Sequence, residues 1–167
     1  ADRIVLAPGI DFDDVPGLGA SDRMPHAWKA GTQTTMLSSQ LRAMADGGTF
    51  VLTIPKAPYR CPPGPYERAC LVADWLKKNK PRSKVMVLDA NAFIQAEKLV
   101  FEAAFKMHNI EYVPNAEVQG VDPGNMRLST TMGAFDNLGC VNLIPRQKAG
   151  SLIAMAGLNN SADARFA

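Results

Sequence analysis

Two neighbouring stretches decide the fold. Thr49-Phe50-Val51-Leu52-Thr53-Ile54 is apolar and strand-like, and Arg60-Cys61-Pro62-Pro63-Gly64-Pro65-Tyr66-Glu67-Arg68 follows shortly after it. A segment with helical periodicity comes next. Strand, tight loop and helix in this order mark the place where a doubly wound α/β fold keeps its glycine-rich phosphate loop. Here the loop is built from prolines around one cysteine. Proline has no backbone N–H, so the loop loses the donors that would cradle a pyrophosphate. It keeps a thiol beside a helix N-terminus, where negative charge is favoured. The position is that of nucleotide binding; the local chemistry is that of thiol redox.

Within the run, Pro65 fits the first helical position with Gly64 just before it. Glu67 falls in the first turn, and on spacing alone it is an ordinary first-turn acid. Cys61 has two readings, a small buried apolar residue or an accessible thiol. A rigid proline loop favours the surface.

Outward from this centre the chain alternates. Residues 1–10 read as a strand. Residues 11–31 form a loop around Val15-Pro16-Gly17-Leu18-Gly19. A helix over 32–45 carries Leu37, Leu41 and Met44 on one face and stops at Asp46-Gly47-Gly48. Downstream, a helix over 65–78 aligns Ala69, Val72, Ala73 and Leu76. Val85-Met86-Val87-Leu88 is the continuous apolar run of a central parallel strand. A helix over 95–107 puts Leu99, Ala103 and Met107 on one face, and Ile110-Glu111-Tyr112-Val113 is a third strand. Together these make β-α-β-α-β, the first half of a doubly wound sheet. Residues 117–121 and 126–131 then alternate around Asp122-Pro123-Gly124-Asn125 as an antiparallel pair. Cys140-Val141-Asn142-Leu143-Ile144 is a further buried strand, and a short helix over 151–156 ends at Gly157.

Asp89 closes the second strand of the unit, where nicotinamide-binding folds hold a ribose hydroxyl. Without glycines in the first turn, a turn-capping role before Asn91 is the better reading.

Composition narrows the function. The 167 residues, 47% apolar and 20% charged, suit one globular domain or two small lobes. A net charge of +2, with no basic cluster interleaved with aromatics, argues against nucleic acid. Lys77-Lys78-Asn79-Lys80-Pro81-Arg82 reads as a solvated helix end. No apolar run reaches the length of a membrane span. Cys61, Cys70 and Cys140 form no Cys-x-x-Cys, and His26 and His108 lie far from them, so no metal-ligand spacing exists. Three thiols leave at least one free or paired outside this chain; Cys70 and Cys140 read as core residues. The chain passes from Ala1-Asp2-Arg3 straight into Ile4-Val5-Leu6-Ala7-Pro8-Gly9, which suggests a fragment of a longer protein.

Arg60-Cys61-Pro62-Pro63-Gly64-Pro65-Tyr66-Glu67-Arg68-Ala69 closely resembles the redox-cysteine segment of the flavin-binding subunits of flavocytochrome c sulfide dehydrogenases. Ile4-Val5-Leu6-Ala7-Pro8-Gly9-Ile10, Pro25-His26-Ala27-Trp28-Lys29-Ala30-Gly31, Met44-Ala45-Asp46-Gly47-Gly48-Thr49 and Val141-Asn142-Leu143-Ile144-Pro145 are similar to the same family in the same order. The related sulfide:quinone oxidoreductases match the cysteine loop less well.

The resemblance implies an α/β fold: a Rossmann-like three-layer domain with a parallel sheet plus an antiparallel β segment, as in glutathione-reductase-like flavoproteins. It implies that residues 1–45 end a first FAD-domain segment with its connecting loop and helix. Residues 46–140 would be an inserted Rossmann-like domain, and residues 141–167 would begin a second FAD-domain segment. It further implies a periplasmic enzyme that oxidises sulfide at FAD and passes electrons to a haem-bearing cytochrome c subunit. Cys61 would be half of a redox disulfide whose partner lies beyond residue 167, and Glu67 the nearby acid/base carboxylate. Ala7, Pro8 and Gly9 would touch FAD in the full-length protein, while this chain alone would bind none and be inactive. No metal is expected. His26 and Trp28 carry no role here beyond packing. Two rival readings are a sulfurtransferase carrying sulfane sulfur on Cys61 and a non-catalytic docking module.

Overall fold

Every residue of the strand Thr49–Ile54 after its first is buried, so this strand has to be covered on both faces. The computed structural model describes residues 2–166 and covers it in that way. In chain order the elements are β1 (Ile10–Phe12), α1 (Thr32–Ala43), β2 (Thr49–Ile54), α2 (Gly64–Asn79), β3 (Lys84–Asp89), α3 (Lys98–His108) and β4 (Glu111–Val113). They continue with β5 (Val118–Asp122), β6 (Arg127–Thr130), β7 (Gly133–Phe135), β8 (Cys140–Asn142), β9 (Gln147–Ala149) and α4 (Ser151–Met155).

Strands β4, β3, β2 and β8 lie side by side in that order, all parallel. Val51 is paired with Met86 on one side and Val141 on the other. The chain winds outward from β2 through β3 to β4, then returns to place β8 on the far side of β2. The order therefore reverses at β2, and its carboxyl end is where such sheets leave a crevice. On one face of the sheet, Phe50, Leu52 and Val87 meet Ala69, Val72, Ala73 and Leu76 of α2 and Phe101 and Phe105 of α3. On the other, Val51, Leu88 and Val141 meet Val121 and Leu128 of the antiparallel sheet β5–β6–β7. These are the three layers of an α/β domain.

Some expectations need correcting. The strand expected over residues 1–10 starts at Ala1, which lies outside the described residues. Of the rest, only Ile10 is in a strand, the short β1 that pairs antiparallel with β9. Residues 2–9 have no partner strand to satisfy their backbone, and Val5 is 90% exposed. Helix α3 begins at Lys98 and is rotated from the expected face: Leu99, Ala103 and Met107 point to water, whereas Phe101 and Phe105 are buried. Two aromatic side chains one turn apart bury more area than the aliphatic stripe, and they set the rotation. Phe101 and Phe105 stack against Tyr66 with ring centroids at 5.3 and 6.1 Å. The antiparallel pair gains a third strand, β7, and α2 starts at Gly64 with Pro63 as its cap. Among the described residues no helix is long and apolar enough to cross a membrane.

Candidate active site around Cys61

The carboxyl end of β2 runs into the proline loop, and α2 springs from it. Cys61 adopts φ 58°, the left-handed region that a side chain seldom occupies, and such outliers gather at functional sites. Its carbonyl accepts the N–H of Gly64 at 3.0 Å, closing the turn. The residue before it is pinned from afar: the N–H of Arg60 donates to Oε1 of the fully buried Gln147 in β9 at 2.6 Å. Cys61 itself is exposed, and Cys61, Cys70 and Cys140 are all free thiols.

Gly64 is a glycine for a spatial reason. A Cβ there would lie 3.0 Å from Sγ of Cys61 and 3.2 Å from Cζ2 of Trp28. Thiol and indole thus close over the head of α2. They line one open cleft of about 680 Å³, together with Glu67, Arg68, Lys29 and Leu71. Glu67 is exposed in the first turn of α2. The two residues singled out for catalysis, Cys61 and Glu67, therefore share this cleft.

Ala7, Pro8 and Gly9 lie apart from it. They are exposed, with Gly9 at φ 78° and its carbonyl accepting the N–H of Gly150 at 3.3 Å. A separate crevice of about 230 Å³ opens at the carboxyl ends of β2 and β8, lined by Thr53, Ile54, Lys56, Leu143 and Arg146 with Asp13.

Arg68 is a site residue the sequence did not single out. Its Nη1 donates to Oδ1 of the buried Asn142 at 3.3 Å and its Nη2 to the Ala27 carbonyl at 3.0 Å. Its guanidinium lies 5.3 Å from the centre of the Trp28 ring, and burial lowers its pKa. The signal was there: a cation close to a helix N-terminus opposes the dipole and calls for another reason to be present. The backbone beneath Trp28 is held in turn, its main-chain N–H donating to Nδ1 of His26 at 3.0 Å. Burial and the Lys29 charge push His26 down to about 4, so the ring is neutral at pH 7 and carries its proton on Nε2. That atom is buried with no protein partner.

Beneath the loop lies a second polar cluster. Asp89 is fully buried, and its Oδ2 accepts the hydroxyls of Tyr66 and Tyr112, both at 2.9 Å. Its Oδ1 accepts the backbone and side-chain N–H groups of Asn91 at 2.8 and 2.7 Å. The cap expected at Asn91 is present, and the other carboxylate oxygen is closed in by two tyrosine hydroxyls. Burial raises Asp89, with these hydrogen bonds opposing it. The Tyr66 hydroxyl also accepts the N–H of Gln95 at 3.0 Å and meets the Tyr59 hydroxyl at 3.2 Å. Burial pushes Tyr59 up to about 12 and raises Tyr66 and Tyr112 as well. Cys140 is fully buried and pushed up to about 12; Cys70 is partly buried and raised for the same reason. Among the described residues no group of His, Cys, Asp and Glu could hold a metal.

The fold is shared with flavoprotein oxidoreductases. The sulfide:quinone oxidoreductase of Aquifex aeolicus superposes with a TM-score of 0.70 at 18% identity, over 94% of this chain and 39% of that one. Reduced CoADR-RHD of Bacillus anthracis does so with a TM-score of 0.59 at 10% identity, over 90% of this chain and 26% of that one. The chain thus spans well under half the length of these proteins, and at such identities the likeness is one of fold. Sequence goes further. The chain belongs to the family described as sulfide dehydrogenase (flavocytochrome c) flavoprotein chain, central, which matches residues 34–145. That span runs through β2, the cysteine loop and the parallel sheet to the end of β8.

Proposed function

We propose that this chain is the part of a flavin-dependent sulfide dehydrogenase that carries the sulfide-reactive cysteine. The observation that carries the proposal is the placement of Cys61: exposed, held in a left-handed turn, and sharing one cleft with the Glu67 carboxylate. Membership of the sulfide dehydrogenase flavoprotein family supports the substrate. Hydrosulfide attacks a disulfide between Cys61 and a cysteine beyond residue 167. The S–S bond breaks, one sulfur becomes a persulfide and the other leaves as a thiolate. Glu67, at the cleft wall, takes the proton released from the attacking sulfur. The open cleft admits the small anion, and the left-handed turn presents Sγ to it.

FAD, when bound, supplies a two-electron acceptor whose electrons leave singly for a haem-bearing cytochrome c subunit in the periplasm. Residues of this chain fit that group. Ala7, Pro8 and Gly9 are exposed, and nothing lies within 4 Å of a Cβ position at Gly9. Nε2 of the buried Gln147, next to the Arg60 anchor, has no protein partner. We keep the division into 1–45 and 141–167 as FAD-domain segments around an inserted domain at 46–140. The β1–β9 pairing, which ties the outer segments to each other, supports it.

The test is an absorption spectrum of the full-length protein with and without sulfide. A flavin band that sulfide bleaches, and that persists but stops responding in Cys61→Ser, is expected. Bleaching retained in Cys61→Ser refutes the role of Cys61. A colourless protein that accumulates persulfide on Cys61 points to a sulfurtransferase.

A further inference from the structure

Arg68 is partly buried yet has no carboxylate partner. Its two anchors are neutral, the Asn142 amide and the Ala27 carbonyl. Among the described residues it forms no ion pair, although Glu67 precedes it in the chain. Asn142 is itself fully buried in β8 and fixed by donating to the Pro25 carbonyl at 2.7 Å. The guanidinium is therefore held by the sheet, laid along Trp28, and left with an uncompensated charge in the cleft that contains Cys61. Trp28 links the two in the cleft: its ring lies along the guanidinium, and its Cζ2 and Sγ of Cys61 both border the point where a Cβ of Gly64 would stand. Lys29 adds a second cation to the cleft wall, and Glu67 is its one carboxylate among the described residues. The cleft is net cationic, and its fixed cation is Arg68.

We propose that Arg68 is the anion-recognising residue of the Cys61 cleft: its fixed charge draws small anions, of the class of hydrosulfide and short polysulfides, to the cysteine sulfur. The guanidinium can remain uncompensated because anchoring by neutral groups leaves its field directed outward. A carboxylate partner would have cancelled that field. The proposal builds on the role given to Cys61 above. Its test uses neither sulfide nor flavin, so the two can fail separately.

The probe is a pair of alkylating reagents of nearly equal size, anionic iodoacetate and neutral iodoacetamide, with modification of Cys61 followed by mass spectrometry in this chain. The ratio of the two rates cancels changes in thiol reactivity and loop shape and reads attraction of the anion. Arg68→Gln is expected to lower the iodoacetate-to-iodoacetamide ratio by about threefold or more, the scale of one unit charge in a partly hydrated cleft. Arg68→Lys, which keeps the charge but loses the planar fork, is expected to keep the ratio within about a factor of 1.5. In the unmodified chain, raising salt from about 20 to about 500 mM should slow iodoacetate alone, and should do so equally in Lys29→Gln, which keeps the test decisive if Arg68→Gln does not fold. An unchanged ratio in Arg68→Gln overturns the proposal. So does an equal fall in both rates, a fall in Arg68→Lys matching that in Arg68→Gln, or a salt-independent ratio.

Discussion

Removal of the Tyr66 hydroxyl tests the buried cluster beneath the cysteine loop. In the native chain this hydroxyl donates to Oδ2 of Asp89, accepts from the backbone of Gln95 and adjoins the Tyr59 hydroxyl. Tyr66→Phe keeps the ring stacked on Phe101 and Phe105 and deletes only the oxygen. The largest loss is the hydrogen bond to a buried carboxylate, worth about 1.5–3 kcal/mol. Gln95 is partly exposed, so water can take up its N–H, and Tyr59 retains a long contact to the Pro62 carbonyl at 3.5 Å. The net cost expected is about 2 kcal/mol, a fall of about 4–8 °C in the melting temperature for a chain of this size. Tyr112→Phe removes the other donor to the same oxygen, but Tyr112 is only half-buried, so about 1 kcal/mol is expected. Together the two changes strip Oδ2 of donors and should cost about 1 kcal/mol more than their sum.

The pH dependence carries the sign. These bonds favour the ionised carboxylate, so the penalty is full where Asp89 is charged. It shrinks as pH falls through the raised pKa of Asp89 in the fold. Urea denaturation at several pH values measures all of this. A Tyr66→Phe loss below about 0.5 kcal/mol, or one that does not shrink in acid, refutes the assignment of a charged, tyrosine-capped Asp89.

The remaining expectations are simpler. His26 is lowered from 6.5 to about 4, so stability is full above 6.5 and falls as pH drops through that value towards 4, by about 1–2 kcal/mol once solvent screening of the partly exposed ring is allowed for. His26→Gln should flatten that slope in urea midpoints, and parallel curves would count against it. Iodoacetamide should modify Cys61 first, Cys70 slowly, and Cys140 only on unfolding; a native Cys61–Cys70 bridge seen by mass spectrometry would contradict the exposed free thiol. Titration calorimetry should show no micromolar binding of NAD or NADP, because Asp89 is sealed and Pro62, Pro63 and Pro65 offer no N–H.

The fold was legible where one interaction dominates. A continuous apolar run such as Val85–Leu88 can only be a strand covered on both faces, and the spacing of Ala69, Val72, Ala73 and Leu76 fixes the inner face of α2. Legibility failed where two patterns competed or a partner was missing. In α3 the aliphatic stripe and the Phe101–Phe105 pair predict opposite rotations, and only the position of Tyr66 decides. Residues 4–9 have strand composition, yet a strand exists only against a partner. In the cleft, Cys61 and Glu67 stood out because proline and glycine fix a loop locally. Arg68 and Trp28 did not, because their meeting depends on Asn142 and His26, which are distant in sequence. The seal over Asp89 was equally hidden, since Tyr66 and Tyr112 come from different elements.

The return of the chain to the far side of β2 has a kinetic consequence. Strands β2, β3 and β4 with their two helices are joined by consecutive short connections and can form early at low loop-closure cost. Strand β8 must wait for the whole β5–β7 excursion. The clamp of Gln147 on Arg60 spans 87 residues and the hold of Asn142 on Arg68 spans 74. Both fasten the cysteine loop from the late side. During refolding the helical half of the domain should therefore gain its protection before the Cys61 thiol acquires its final surroundings, so the cysteine loop is expected to be the last part of the molecule assembled.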